Sequence, residues 1–447
     1  MAPRYFIETF GCQMNVHDSE RLGGLLDAAG YEAASSDATA DLVVVNTCSV
    51  REKAEEKLYS RLGEIRQAAA EAGRTPTIAV TGCVAQQEGE ALLKRGASID
   101  VVVGTQSLKQ LPELVARARD TQRRQLDINP YEDVSFPLGM VRHSDPVRAF
   151  VTIIEGCNEF CAFCVVPYTR GHERMRPVSD ILADVRHAAS TGHREVQLLG
   201  QIVNHYQAPD DVSCDFAELL RRVHDVDGID RLRFASPHPR HVSDALIQAF
   251  RELPKLCRHM HLPLQSGSDS VLQAMRRRHT SSHYLDLVDR LRQALPDIAL
   301  STDLIVGFPG ETAEDFEATL DVVRRVRYHS LYSFKYSPRP NTLAHRRMSD
   351  DVPEGEKTRR IMALQSLQRD LQLERFAQLV GSVEDVLVDS ISRRRASDVA
   401  GRTSGNTVVN LRGPAEWLGQ ILPVRITEAS PNSLRGEALM PVPVGGQ

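Results

Sequence analysis

Two long stretches of this chain alternate short β-branched runs with helix-forming segments, and this alternation constrains the fold more than any other feature. Near the amino terminus, Arg4 to Thr9, Asp41 to Asn46, Thr77 to Val80 and Asp100 to Val103 read as strands. Helical stretches separate them. The longest, Arg51 to Ala72, is rich in Ala, Glu, Lys and Leu and ends at Gly73, where a left-handed terminator belongs. Strand, helix, strand, repeated, predicts an α/β domain with a doubly wound parallel sheet over residues 3–120. Ligands of such sheets gather beyond the carboxyl ends of the strands, and Cys12, Cys48 and Cys83 each follow a strand by a few residues.

Residues 121–145, with Pro130 and Pro137 and little periodicity, read as a linker. From Ala149 to Tyr336 six strand candidates follow, near Val151, Val196, Leu232, His261, Leu304 and Tyr332, each but the last trailed by a helical stretch. Six βα units predict a partial (β/α)6 barrel in a domain over residues 143–376, with its chemistry on the loops leaving the carboxyl ends of the strands. A long amphipathic helix, about Glu354 to Val380, then gives way to short alternating runs such as VEDVLVDS and ILPVRITEAS. These predict a small antiparallel β-barrel over residues 378–441.

A length of 447 residues and a 42% hydrophobic composition suit three domains with cores of their own. The net charge of -5 excludes a bulk basic field, so contact with nucleic acid must rely on local patches. No apolar run reaches the roughly 18 residues that span a bilayer, which predicts no membrane association and a cytoplasmic location. In that reducing compartment the eight cysteines read first as metal or redox ligands.

The strongest chemical signal is CNEFCAFC, which sets Cys157, Cys161 and Cys164 in a CxxxCxxC spacing after the first barrel strand. Three thiolates can hold three corners of a cubane iron-sulfur cluster and leave one iron open to substrate. A structural zinc site is the alternative, with His172 the nearby candidate for a fourth ligand. Cys12, Cys48 and Cys83 are too widely spaced to form a ligand motif, so buried thiols and a second cluster are both open readings. Cys214 and Cys257 match neither group and read as structural.

The CxxxCxxC loop resembles that of the radical S-adenosylmethionine enzymes. The flanking words EGCNEFCAFCVVPYTRGHERMRP, TFGCQMNVHDSE and VVNTCSVREKAEEKLYSRLG are similar to the methylthiotransferase branch, in particular to its members acting on isopentenylated adenosine of tRNA. The resemblance runs from about Arg4 to Pro441 and includes a carboxy-terminal barrel of the TRAM type. It implies two [4Fe-4S] clusters: an auxiliary one on Cys12, Cys48 and Cys83, and one on Cys157, Cys161 and Cys164 whose open iron binds S-adenosyl-L-methionine. The implied partners are a tRNA anticodon stem-loop carrying N6-(dimethylallyl)adenosine and an electron donor of the flavodoxin or ferredoxin kind. The product would be the 2-methylthio derivative. Radical chemistry suits that task, because the adenine carbon to be thiolated bears an unactivated hydrogen that neither a base nor a nucleophile removes easily.

The same resemblance points to S-adenosylmethionine contacts at Gln201 and Asn204 in LLGQIVNHY, Gln265 and Ser266 in HLPLQSGSD, and Gly307 in TDLIVGFPGET. The alternative for the second group is a loop cap, with Ser268 to Asp269 fitting a helix start, and a tight strand-to-helix turn needs the same glycines as the third. The chain has Ile202, Val84 and Asn341 where relatives usually carry Asn, Met and Gly, none of them a cluster ligand. For RNA, the candidates are Arg393, Arg394 and Arg395 in an expected loop, Arg402 in GRT, and the basic run Arg276 to Arg278 with His279, since each guanidinium can fork onto phosphate oxygens.

Close rivals act on threonylcarbamoylated adenosine or on a ribosomal-protein aspartate and share CxxxCxxC. The words GCQMN, NTCSVREKAEEK and CVVPYTRG resemble the isopentenyl-adenosine branch instead. A rival of another class, a non-catalytic iron-sulfur RNA binder or electron carrier, requires a fully ligated cluster or no S-adenosylmethionine pocket.

Overall fold

A strand covered by helices on both faces buries every side chain, and Leu42–Thr47 does so along its whole length. In the computed structural model, which describes residues 2–49, 54–96, 98–129, 141–392 and 397–439, this strand lies inside a six-stranded parallel sheet. The strands are β1 (Arg4–Thr9), β2 (Glu32–Ala33), β3 (Leu42–Thr47), β4 (Thr77–Gly82), β5 (Val101–Val103) and β6 (Gln125–Asp127), in the order β2-β1-β3-β4-β5-β6. Leu42 and Val44 pack with Leu22, Leu26 and Leu111 from the helices Gln13–Ala28 and Leu111–Thr121. Val43 and Val45 point to the opposite face and pack with Leu58 and Leu62 of the helix Ala54–Glu71. Period-two alternation therefore feeds two cores, as a doubly wound sheet requires.

Two edge strands were not expected. β2 and β6 are two and three residues long, too short for any alternation to show, and β6 falls inside the stretch read as a linker. Gly73 has the left-handed φ of 64° expected of a helix terminator, whereas the expected helix start at Arg51 lies outside the described residues.

The middle of the chain forms the half-barrel. Strands β7 (Arg148–Thr152), β10 (Glu195–Leu199) and β11 (Arg231–Phe234) make one parallel sheet, and β12 (His259–His261), β13 (Ala299–Val306) and β14 (Ser330–Lys335) make another. A two-stranded ribbon of β8 (Ile154–Glu155) and β9 (Arg174–Met175) closes the base of the cysteine loop. The sheets join where the Leu232 N–H donates to the Lys255 carbonyl (2.7 Å) and the Cys257 N–H to the Leu232 carbonyl (2.9 Å). Six parallel strands thus curve around one core, with Val151, Val196, Leu232, Leu300 and Leu304 turned out against the helices. The long helix Glu354–Leu379 covers β14, its Gln365 bonded to Ser333 and its Gln368 to the Tyr328 carbonyl.

The tail closes into a barrel of β15 (Val383–Ile391), β16 (Asp398–Thr403), β17 (Val408–Arg412), β18 (Ile421–Ser430) and β19 (Ser433–Ala438), in the order β15-β16-β17-β19-β18. The expected all-antiparallel arrangement needs one correction: β17 and β19 run parallel. A closed ring with an odd number of strands cannot alternate direction throughout, so one such pair is unavoidable. The barrel docks under the half-barrel through two buried arginines. Arg231 donates to the Arg402 and Asp385 carbonyls, and Arg233 to those of Thr403 and Ser404. Among the described residues no helix is long and apolar enough to cross a membrane.

Candidate functional site

Two groups of three thiols lie at carboxyl edges of parallel strands. In the amino-terminal sheet β1, β3 and β4 are neighbours. Cys12 is the cap of the helix Gln13–Ala28, Cys48 directly follows β3, and Cys83 opens the helix Cys83–Glu88 directly after β4. Tight turns bring them together. Gly11 has a φ of 143°, and a side chain there would collide with the Cys48 Cβ; Gly82 has a φ of 92°, and one there would collide with the Thr47 carbonyl. Asn15 and Asn46, both fully buried, lace the turns: Asn15 Nδ2 donates to the Thr47 carbonyl (2.9 Å), and Asn46 Nδ2 to the Asn15 carbonyl (2.8 Å).

The thiolate form is favoured at Cys12. Contact with the Cys48 thiol, helped by the charge of Arg170, lowers the Cys12 thiol to about 6. Arg170 arrives from the half-barrel loop, is buried, and donates to Asp18 Oδ2 at 2.6 Å while its charge also faces Cys83 and Cys12. A second pair, Arg21 to Glu155 at 2.5 Å, crosses the same interface. The Ser144 N–H and hydroxyl add bonds to Glu20 Oε1, each 2.8 Å.

The second thiol group sits on the loop after β7. Gly156, with φ 74°, makes the entry turn where a Cβ would collide with the His172 carbonyl. The middle of the loop is pinned on both sides: the Ala162 N–H donates to the Met275 carbonyl (2.9 Å) and the Ala344 N–H to the Ala162 carbonyl (2.8 Å). Ala162 also packs with Met275, Phe308 and Tyr336. Desolvation and the nearby Cys161 raise the Cys157 thiol to about 11 and the Cys164 thiol to about 12, so the thiolate form of both is disfavoured by burial. Arg277 Nη1 lies 3.6 Å from Cys161 Sγ.

His172, the candidate fourth zinc ligand, is otherwise engaged. Among the described residues no three His, Cys, Asp or Glu side chains converge on a single ion's position, and His172 Nδ1 is engaged with Asn158 Oδ1 at 3.0 Å.

The other expected contacts fall into three groups. Gln201 is half-buried just beyond β10. Gln265 is buried at the mouth with a φ of 80°, a strained backbone of the kind that clusters at active sites. Asn204, Ser266 and Gly307 are tied into the scaffold: Asn204 exchanges two hydrogen bonds with the His238 backbone, Ser266 is fully buried against Thr319, and the Gly307 N–H donates to Glu311. Arg402 pairs with Asp389 (3.3 Å) and Asn406 (3.2 Å), while Arg393 to Arg395 lie outside the described residues.

The basic run Arg276 to Arg278 with His279 needs correction as an RNA patch: Arg277 and His279 are buried and turn inward. Arg170 and Arg277 each lie against a thiol group, a placement the sequence did not reveal. Their only trace was membership in CVVPYTRG and in a triple-arginine run.

Comparison with known proteins agrees with this geometry. Residues 4–104 match the family described as "Uncharacterized protein family UPF0004", residues 151–323 the radical SAM superfamily, and residues 377–439 the TRAM domain. The chain is 46% identical to a tRNA-2-methylthio-N(6)-dimethylallyladenosine synthase of Thiobacillus denitrificans, with 98% of each chain covered. It is 48% identical to the protein of the same name from Maricaulis maris, covering 97% of this chain and 96% of that one. Among solved structures, a radical S-adenosylmethionine methyltransferase from Kitasatospora setae with cobalamin and a [4Fe-4S] cluster bound superimposes with a TM-score of 0.56 at 15% identity. That match covers 86% of this chain and 77% of the other, and at this identity the likeness is one of fold.

Proposed function

The chain belongs to the family of tRNA-2-methylthio-N(6)-dimethylallyladenosine synthases, and on that premise we propose how its residues divide the work. It is a radical S-adenosylmethionine enzyme that methylthiolates N6-(dimethylallyl)adenosine beside the anticodon of tRNA. Cys157, Cys161 and Cys164 would hold a four-iron cluster with one open iron, and Cys12, Cys48 and Cys83 a second. When bound, these groups supply the one-electron cleavage of S-adenosylmethionine that removes an unactivated hydrogen, and the sulfur for the new carbon–sulfur bond. The electron comes from a donor of the flavodoxin or ferredoxin kind.

The chain's own residues tie together the two elements that carry the thiol groups. The observation that carries this reading is the pair of buried ion bridges, Asp18 to Arg170 and Arg21 to Glu155. They tie the helix that begins at Cys12 to both flanks of the Cys157–Cys164 loop. Gln13 adds a bond to Gln197 of β10 at 3.3 Å. A substrate adenine held between the two thiol groups would meet both centres, which suits a reaction that removes hydrogen and delivers sulfur at the same carbon. Gln201 and Gln265 are the proposed S-adenosylmethionine contacts at the mouth. Asn204, Ser266 and Gly307 would shape the loops around it. Arg402 of the barrel and the sequence run Arg393 to Arg395 are the proposed phosphate contacts.

The test is nucleoside mass spectrometry of tRNA treated anaerobically with reconstituted protein, S-adenosylmethionine and reductant, with isopentenylated and threonylcarbamoylated tRNAs supplied together. The expected result is a methylthio mass gain on the isopentenylated nucleoside that Cys161→Ala abolishes. Gain confined to the threonylcarbamoylated nucleoside would overturn the substrate.

A further inference from the structure

Arg277 is a buried cation without a carboxylate. It is 6% exposed, and no Asp or Glu among the described residues forms an ion pair with it. Its Nη2 donates to the Pro263 carbonyl (2.9 Å), its Nη1 reaches Cys161 Sγ (3.6 Å), and its Nε has no hydrogen-bond partner. The nearby loop carboxylate, Glu159, is occupied by Arg240, His241 and Arg278. Arg170, at the other thiol group, has Asp18 to balance it. A guanidinium withdrawn from water needs an anion beside it, or it destabilises the fold that buries it.

The backbone shows that this inward placement is built. Arg276 and Arg278 both adopt left-handed φ, 59° and 54°, a conformation that non-glycine residues rarely hold without a structural reason. The Arg277 N–H donates to the Leu272 carbonyl (2.9 Å), and its carbonyl bonds His279 Nδ1 (3.1 Å). The two kinks send Arg278 out to Glu159 and Arg277 in toward Cys161. His238 and His279 lie beside it and are kept neutral by burial and by the charge of Arg277, so the guanidinium is the cation of this group.

We propose that Arg277 is the positioning residue that balances the charge of the cluster on Cys157, Cys161 and Cys164 and raises its reduction potential through an N–H···S bond to Cys161. This rests on the ligand assignment made above. A thiolate-ligated cluster is anionic, and reduction adds one electron, hence one more negative charge, with no bond made or broken. A fixed positive charge and a hydrogen bond to a ligand sulfur stabilise the reduced form more than the oxidised one. Arg277 thereby eases electron entry before S-adenosylmethionine is cleaved.

The test is a dithionite redox titration of the anaerobic holoenzyme, followed by electron paramagnetic resonance on the signal that responds to added S-adenosylmethionine. Arg277→Gln, which keeps a donor and loses the charge, should shift the midpoint to a more negative potential, and Arg277→Lys should lie closer to wild type. A Gln variant that titrates with the wild type overturns the proposal. Should the variants fail to hold the cluster, wild-type protein labelled with 15N-arginine decides: a guanidino nitrogen coupling on the same signal is expected, and its absence overturns the proposal. A wild-type holoenzyme with no S-adenosylmethionine-responsive signal would instead remove the ligand assignment itself, and the role of Arg277 with it.

Discussion

Single residues hold the two thiol groups in place, and their removal has separable effects. Asp18→Ala leaves the Arg170 guanidinium buried without its carboxylate, which costs of order 3–5 kcal/mol. Urea denaturation of the apoprotein should show that loss, and Asp18→Leu with Arg170→Met should recover a large part of it. Gly156→Ala combines a φ of 74° with a collision at the His172 carbonyl. It should lower iron bound at the neighbouring loop while far-ultraviolet circular dichroism stays at the wild-type level, and unchanged iron content would contradict the role given to that turn. The cysteine spacing was legible in the sequence because CxxxCxxC is local. Arg277 was not, since a run of three arginines is silent about which one turns inward; that choice is made by two left-handed residues, and left-handed Arg has no compositional sign. Ser266 reads from the sequence as a ligand, with a loop cap as the alternative; it lies buried against Thr319, and its hydroxyl accepts from the Ser268 N–H.

The elements that frame the mouth depend on their caps. The helix Ala313–Val326 after β13 begins with a capping box in which Thr312 and Asp315 bond each other's backbone N–H. Thr312→Ala should cost about 1 kcal/mol in thermal or urea unfolding. Burial raises the Asp315 carboxyl, but bonds from Ser268, the Thr312 N–H and Ser270 outweigh it and hold the group at about 2, below the ordinary 3.8. A carboxyl depressed on folding stabilises above its unfolded value and loses that contribution as pH falls through the folded one. The stability gap between wild type and Asp315→Asn should therefore be full near neutral pH and close as pH falls from 3.8 to about 2; a gap that persists at the acid end would show that the bonds do not depend on charge. The long, strongly patterned strands of both sheets were readable from alternation. β2 and β6 were not, because a strand of two or three residues has no period. The parallel pair in the small barrel follows from ring parity, which no hydrophobic pattern encodes.

At the scale of the whole molecule, three domains are joined by a few buried arginines: Arg170 and Arg21 between the amino-terminal sheet and the half-barrel, Arg231 and Arg233 between the half-barrel and the small barrel. Composition and periodicity mark the three domains but not how they meet, since partners such as Asp18 and Arg170 lie far apart in sequence and two of the four arginines bond to backbone carbonyls. The first two of those junctions tie the helix after Cys12 to the elements that flank the Cys157–Cys164 loop. On the proposed assignment each cysteine group holds its own four-iron cluster. Iron and acid-labile sulfide analysis with Mössbauer spectroscopy on anaerobically reconstituted protein tests it most directly. About eight irons per chain are expected in the wild type, and about four when either Cys12, Cys48 and Cys83 or Cys157, Cys161 and Cys164 are all changed to Ala. A triple variant that keeps the wild-type iron content would contradict the account.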